Sequence, residues 1–355
     1  MAYSSIVKPT DYFNTVLWTG NATDGRAITG VGFQPDWVWI KNRDTASNHS
    51  EYDVIRTATK RLRPNLTNAE DTKSNGLQSF DSDGFTVGDS TVENNSGDGI
   101  VAWNWLAANG TASNGDGSIT STVSVNTTAG FSIVSYTGTG SAATVGHGLG
   151  AVPKLIITKG RSFSDDWLTY HEGIGNGKYI ILNKTDGEAS SSLPWNSTTP
   201  TSSVFSIGSS GTTNNNGGTI IAYCFAEVKG FSKFGTYQGV NDTGTAGSIN
   251  DVFVYTGFKP AFLLLKKYNS SGTGWFIFDN KRDDDNPISS FLMPQATNSE
   301  DSSLTRAFDL LSNGFKSRGN SDDTSGAGSS YLYAAFAENP FVGNDSGTAV
   351  PVTAR

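Results

Sequence analysis

The chain of 355 residues carries 25 Lys and Arg against 33 Asp and Glu, a net charge of −8, so it lacks the basic surplus that replaces counterions on nucleic-acid phosphates. Charged residues make up only 16% of the chain, while 41 Gly, abundant Ser, Thr and Asn, and 20 Phe, 12 Tyr and 8 Trp are the composition of an all-β, loop-rich protein. The single cysteine, Cys224, excludes an internal disulfide framework, and no run approaches the roughly 18 apolar residues of a membrane-spanning helix.

Residues 1–15 read as a lead-in with one extended segment, and MAYSSIVKPTDYF shows no signal-peptide pattern. VLWTGN (16–21) is a strand ending in a turn, followed by GFQPDWVWIK (32–41). Here a glycine and a proline three residues later precede an apolar run that ends at Lys41. Proline fits ahead of a strand because it fixes φ and cannot donate to a ladder. The run behind it is too short for a helix and rich in β-branched and aromatic residues, so it reads as a buried strand. The same signal returns as IVSYTG (133–138) with GAVPKLIITK (150–159), and as GTYQG (235–239) with GFKPAFLLLK (257–266). Trp18 to Pro35 and Tyr136 to Pro153 are both seventeen residues, while the third repeat has a longer first loop.

Each repeat continues with an aromatic strand, HSEYD (49–53), DWLTYH (166–171) or GWFIFDN (274–280). Hairpin signals follow at Asp83-Gly84 and Asn313-Gly314. Closing strands lie at 99–107, 219–227 and 331–339, with Trp105, Phe225 and Phe336 aligned. The expected organisation is three tandem β-sandwich modules of a jelly-roll or lectin-like kind, each near the roughly 100 residues such a sandwich needs. Module one spans 1–107 with its lead-in, a linker 108–129, module two 130–228, module three 229–342 and a tail 343–355. Short helices are expected at 52–65, where Val54, Ile55, Ala58 and Leu62 share a face before Pro64, and at 302–311.

Few residues suggest chemistry. His49, His147 and His171 lack neighbours at metal-ligand or nucleophile–base spacing and read as structural or surface residues. Cys224, between Tyr223 and Phe225, reads as a core residue. DSDG (81–84) and DDDN (283–286) offer oxygen ligands without the EF-hand spacing and read as a turn and a solvated loop. Asp53/Arg56 recurs as Asp279/Arg282, where repeat two has His171 and Ile174, and reads as a tie between loop and scaffold. Arg56, Lys60, Arg61 and Arg63 form a basic cluster, either a solvated face or a contact for an acidic partner. Two aromatics in polar inserts, Trp195 (in 186–203) and Tyr268, are the candidate glycan or partner contacts; no catalytic, cofactor or metal residue is assigned.

The aromatic-Thr-Gly opening, WVWIKNRD with YDVIRTATKRL behind it, the SDGF hairpin and the AFAENPFV…PVTAR ending resemble the repeat-built, tail-fibre-like or structural virion proteins of marine and cyanobacterial tailed bacteriophages. The resemblance covers nearly the whole chain and departs in repeat two, with GAVP and no Asp-x-x-Arg. It implies a non-enzymatic protein on the virion exterior, made in the host cytoplasm, without cofactor. A capsid decoration or short fibre would contact other virion proteins, form a homo-oligomer and meet host surface glycans. Alternatives are a receptor-binding tail-fibre adhesin, a glycan-depolymerising enzyme with two convergent carboxylates, or a bacterial lectin.

Overall fold

One strand order appears three times in the computed structural model, which describes residues 4–240 and 244–340. In repeat one the opening strand (Phe13–Thr19) pairs with the closing strand (Gly99–Trp105), which pairs with the proline strand (Trp37–Asn42) and that with the aromatic strand (Ser50–Asp53). Repeat two repeats the order with Phe131–Thr137, Thr219–Ala226, Pro153–Gly160 and Leu168–His171. Repeat three does so with Ser232–Gln238, Ser330–Pro340, Phe258–Lys267 and Trp275–Asp279. All pairings are antiparallel, and the registers coincide: Trp37 faces Trp105, Leu155 faces Phe225 and Phe262 faces Phe336.

Each of these sheets is covered on both faces. The outer face lies under a small antiparallel sheet: Arg26–Thr29, Gly84–Val87 and Leu77–Asp81 in repeat one, Ala143–Gly146 and Val204–Ile207 in repeat two, and Phe253–Tyr255, Gly314–Ser317 and Phe308–Leu311 in repeat three. Val38, Ile40 and Ala102 fill that layer in repeat one; Ile156, Ala222 and Cys224 do so in repeat two. The protein is therefore all-β, built of small sandwiches. Alternate residues point the other way, and there the three inner faces meet each other. Trp37 stacks on Trp105 at 4.4 Å and on Tyr223 of repeat two at 4.3 Å, while Phe336 of repeat three lies 5.7 Å from both Trp105 and Phe225. Three sheets thus wall a triangular prism filled along its axis by aromatic rings. The axial space left over is about 10 Å³ with an apolar lining, no more than one water would occupy. Burial on both faces explains why the proline strands read as unbroken apolar runs.

Local chemistry sets the strand entrances. Gly32, Gly150 and Gly257 all have positive φ (+89°, +68° and +84°), a region a side chain would disfavour. Pro35 stands ahead of its strand, Pro153 begins one, and Pro260 sits where the register shifts, so no proline interrupts a regular ladder. The two predicted hairpins form, with Ser82-Asp83 and Ser312-Asn313 at their tips. Gly84 and Gly314 serve the approach of a third strand instead, since an added Cβ would lie 2.0 Å from the Ile28 carbonyl oxygen and 2.1 Å from that of Val254.

Several expectations are corrected. The stretch 108–129 is not a free linker: Ala112–Asn114 and Ser121–Asn126 extend the sheet of repeat two beyond its opening strand, Val123 being buried despite the polar composition. Residues 52–65 form no helix. The Asp53 carboxylate takes the Arg56 backbone N–H (2.9 Å) and closes a turn, and Thr57 and Thr59 adopt positive φ (73° and 69°). At 302–311 a single 3-10 turn, Leu304–Arg306, leads into strand Phe308–Leu311. The one α-helix among the described residues is Gly211–Asn214. The tail 343–355 lies outside the described residues.

Because Trp37 touches rings from two repeats, Trp37→Ala should cost about 3–5 kcal/mol in urea unfolding. Hydrogen exchange should accelerate in the central strands of repeat two as well as repeat one; an effect confined to repeat one would contradict a shared core.

Candidate functional site at the seams between repeats

The polar side chains that carry chemistry elsewhere are here spent on the seams. Asp53, His171 and Asp279 occupy the same ladder position, opposite Trp37, Leu155 and Phe262. Each reaches the closing strand of a neighbouring repeat. Asp53 accepts from Tyr223 Oη at 2.8 Å, Asp279 accepts from Trp103 Nε1 at 3.0 Å, and His171 Nε2 contacts the Tyr333 carbonyl at 3.2 Å. Repeat one thus binds two, two binds three and three binds one. The break in the repeated Asp-x-x-Arg has a physical reason. Tyr223 and Trp103 are replaced by Ala334 in repeat three, which offers no donor, and a histidine N–H finds the adjacent backbone acceptor instead.

A second ring lies one layer away. His49, Trp167 and Trp275 stand opposite or beside Lys41, Lys159 and Lys266, and each donates a ring N–H across a seam: to Met293 O (3.1 Å), to Arg63 O (3.0 Å) and to Ile181 O (2.9 Å). His49 Nδ1 meanwhile accepts from Trp39 Nε1 at 2.9 Å, which fixes the Nε2–H tautomer. A third ring joins Arg43 to Glu300 and Arg161 to Glu70. Tyr268 fills the corresponding place in repeat three, where its carbonyl accepts from the Glu188 N–H at 2.7 Å.

The lysines that end the apolar runs, Lys41, Lys159 and Lys266, are fully buried, and burial pulls each from 10.5 to about 8. Carbonyl oxygens receive their ammonium protons: Asn42 and Thr45 for Lys41, Thr67 of repeat one for Lys159, and Thr185 of repeat two with Thr273 for Lys266. Arg56 and Arg282 are also fully buried on Asp53 and Asp279, with Nη2 donating to Glu51 O (3.0 Å) and Ile277 O (2.9 Å). The repeated pair is a tie, as its spacing suggested.

Other expected residues fall into place or change role. Trp195 is only 2% exposed, edge-on to Tyr170 at 5.9 Å, so it pins the insert 186–203 and presents no face to a ligand. Tyr268 is half-buried against the central core at a seam rather than projecting from a loop. Within the basic cluster Arg56 pairs with Asp53 and Arg61 and Arg63 with Asp71, while the Lys60 ammonium donates to the Thr72 hydroxyl and keeps its charge. All three histidines are buried with both ring nitrogens engaged. Cys224 is buried on an outer face, where burial pushes its thiol upward. Asp83 receives the Gly30 and Gly32 N–H groups, and Asp283 those of Ser289 and Ser290, so both acidic loops bind backbone. Among the described residues no group of three His, Cys, Asp or Glu side chains is arranged to hold a metal.

Two features escaped the sequence reading. Phe253 and Tyr255 are 42% and 53% exposed on the small sheet of repeat three, with Val254 turned inward between them; the alternation in FVY was the available signal. The other is a cleft of about 280 Å³ at the seam between repeats three and one, lined by Asn14, Thr15, Ala261, Asn280, Lys281 and Glu338 among others. No local pattern announces it, because its two walls lie at opposite ends of the chain.

The class defined by this geometry is a cyclically closed, three-repeat β-protein whose buried polar groups staple its seams. The chain belongs to the family described as Domain of unknown function (DUF7483), whose pattern matches residues 8–340 in one span covering all three repeats. No curated protein and no solved structure matches it.

Glu51 gives a pH test of the seam between repeats one and two. It is fully buried on the same face as Asp53, and burial lifts it from 4.5 to about 8, outweighing the Arg56 charge and the Trp37 indole that favour its ionised form. The folded state therefore holds this proton between pH 4.5 and 8 where the unfolded chain releases it, and stability falls as pH rises through that window. Glu51→Gln should change urea stability little at pH 4.5 and raise it by roughly 2–5 kcal/mol at pH 8. An equal effect at both pH values would contradict the assignment.

Proposed function

We propose that this protein is a non-enzymatic structural component of a virion exterior, a capsid decoration or short fibre, that displays its outer loops to host surface glycans. The observation that carries this reading is the closure of three repeats into one body through buried cross-seam bonds. Such a body resists swinging and local opening, which suits a display scaffold exposed to the medium. Its ionisable side chains are largely committed to that scaffold: the buried histidines, lysines and aspartates bond to backbone or to each other. The family resemblance of the repeat signatures supports the same assignment, with other virion proteins as partners.

A homo-oligomer fits the sheet edges. The opening strands of repeats one and three end their sheets, whereas that of repeat two is covered by two further strands, and an uncovered edge can pair with another copy.

Gold-labelled antiserum against the purified chain, applied to purified particles of the phage that encodes it, tests the reading. Gold over the particle surface is expected, at capsid lattice sites for a decoration protein or at the tail for a fibre. Particles without gold would overturn it and favour a secreted lectin or glycan-degrading enzyme.

A further inference from the structure

The sheet edge of repeat one is open where that of repeat two is covered. Leu106 N–H bonds Tyr12 O at 2.9 Å and Gly20 N–H bonds Asp98 O at 2.8 Å. In the ladder between them Asn14, Val16 and Trp18 therefore bond to the closing strand, while the backbone of Phe13, Thr15 and Leu17 turns outward. The corresponding residues of repeat two are Phe131, Ile133 and Ser135, and Asn126, Ser124 and Thr122 stand opposite them in an added strand. Repeat one has no such strand among the described residues. Leu17 is 39% exposed, and the cleft of about 280 Å³ runs along Phe13, Asn14 and Thr15, where repeat two holds residues 124–126. An edge with outward N–H and C=O groups is a template for a further strand.

The path of the chain indicates the occupant. In repeat two the added strand belongs to the stretch that leaves the closing strand of repeat one. Ala107 O accepts from Asn126 Nδ2 at 3.3 Å, and Ala108 N–H donates to Ser124 Oγ at 3.2 Å. Going round the ring, the stretch that leaves the closing strand of repeat three is 341–355, which lies outside the described residues. It starts at the cleft, because Glu338 and Asn339 form part of the cleft wall. It also has the reach, since 341–355 follow Phe336 at the same separations as 110–124 follow Trp105. The link between repeats two and three, 227–231, is too short to add a strand, and the edge of repeat three stays open. In AVPVTA (349–354) two valines alternate about a proline. Proline is tolerated in an edge strand when its nitrogen faces away from the ladder, a register that sets Val350 and Val352 on the same side as Phe13 and Thr15.

We propose that the segment 341–355 seats in this cleft and adds a strand to the open edge of repeat one, as Ser121–Asn126 does for repeat two. The segment bonds the outward backbone of Thr15 and Leu17. It closes the seam between repeats three and one in the way the seam between one and two is closed, and leaves the edge of repeat three for contact between copies.

Amide hydrogen exchange read by NMR, on the full chain and on a chain stopped after Pro340, tests it. The Thr15 and Leu17 amides should be protected in the full chain. Stopping at Pro340 should speed their exchange by about 100-fold or more, while Asn14 and Val16, bonded to the closing strand, change by less than about threefold. Val350→Asp together with Val352→Asp in the full chain should reproduce the effect, which keeps the test decisive if the shortened chain does not fold. Thr15 and Leu17 amides that exchange freely in the full chain would overturn the proposal, as would protection that survives both changes or an equal acceleration of all four amides. Protection that falls on dilution would assign the cleft to the segment of a second copy and overturn it as well.

Discussion

The structure depends on one constraint: three sheets, each already covered on its outer face, must bury a second apolar face, and they bury it against each other. Closing three walls around Trp37, Trp105, Phe225, Phe262 and Phe336 leaves almost no axial space. It also carries indole, imidazole, carboxylate and ammonium groups out of water, where an unpaired group costs about 1–3 kcal/mol. Most of those groups find a partner, several of them in the next repeat, while the Trp105 indole N–H finds none. Burial and seam bonding are therefore two aspects of one arrangement.

The seam bonds are directional as well as numerous. In one layer Asp53, His171 and Asp279 reach the closing strands of repeats two, three and one. In the next, ring N–H groups of His49, Trp167 and Trp275 reach repeats three, one and two. Each seam is thus bonded from both sides, and every repeat has two neighbours to which it is tied. Sequence divergence is tolerated where the bond survives. His171 with the Tyr333 carbonyl does what Asp279 does with Trp103, and Tyr268 keeps the backbone bond to Glu188 that Arg43 and Arg161 make to Glu300 and Glu70, without their added ion pairs.

Much of the sandwich was legible in the residues, because strand signals are local. The glycine–proline entrances, the seventeen-residue spacing and the alignment of Trp105, Phe225 and Phe336 agree with the observed registers. Closure was not legible, since spacing along a chain says nothing about which inner face meets which. The polar stretch 108–129 hid two strands because Ala112–Asn114 is exposed at the sheet edge and two of the three buried positions of Ser121–Asn126 are serines. YDVIRTATKRL read as a helix because its apolar spacing outweighed what the Asp53 carboxylate does to the backbone behind it. Trp195 read as a ligand contact because a polar insert surrounds it in sequence, while in space Tyr170 does. The cleft along Phe13, Asn14 and Thr15 becomes visible only when repeats one and two are compared in register and one opening strand lacks the neighbour that the other has.

The most direct test of the closed arrangement is calorimetric unfolding of the intact chain. Three repeats sharing one aromatic axis and bonded around a ring should melt in a single transition, with equal calorimetric and van't Hoff enthalpies. Resolved transitions for separate repeats, or a calorimetric enthalpy about three times the van't Hoff value, would show sandwiches folding independently and would contradict the closed prism.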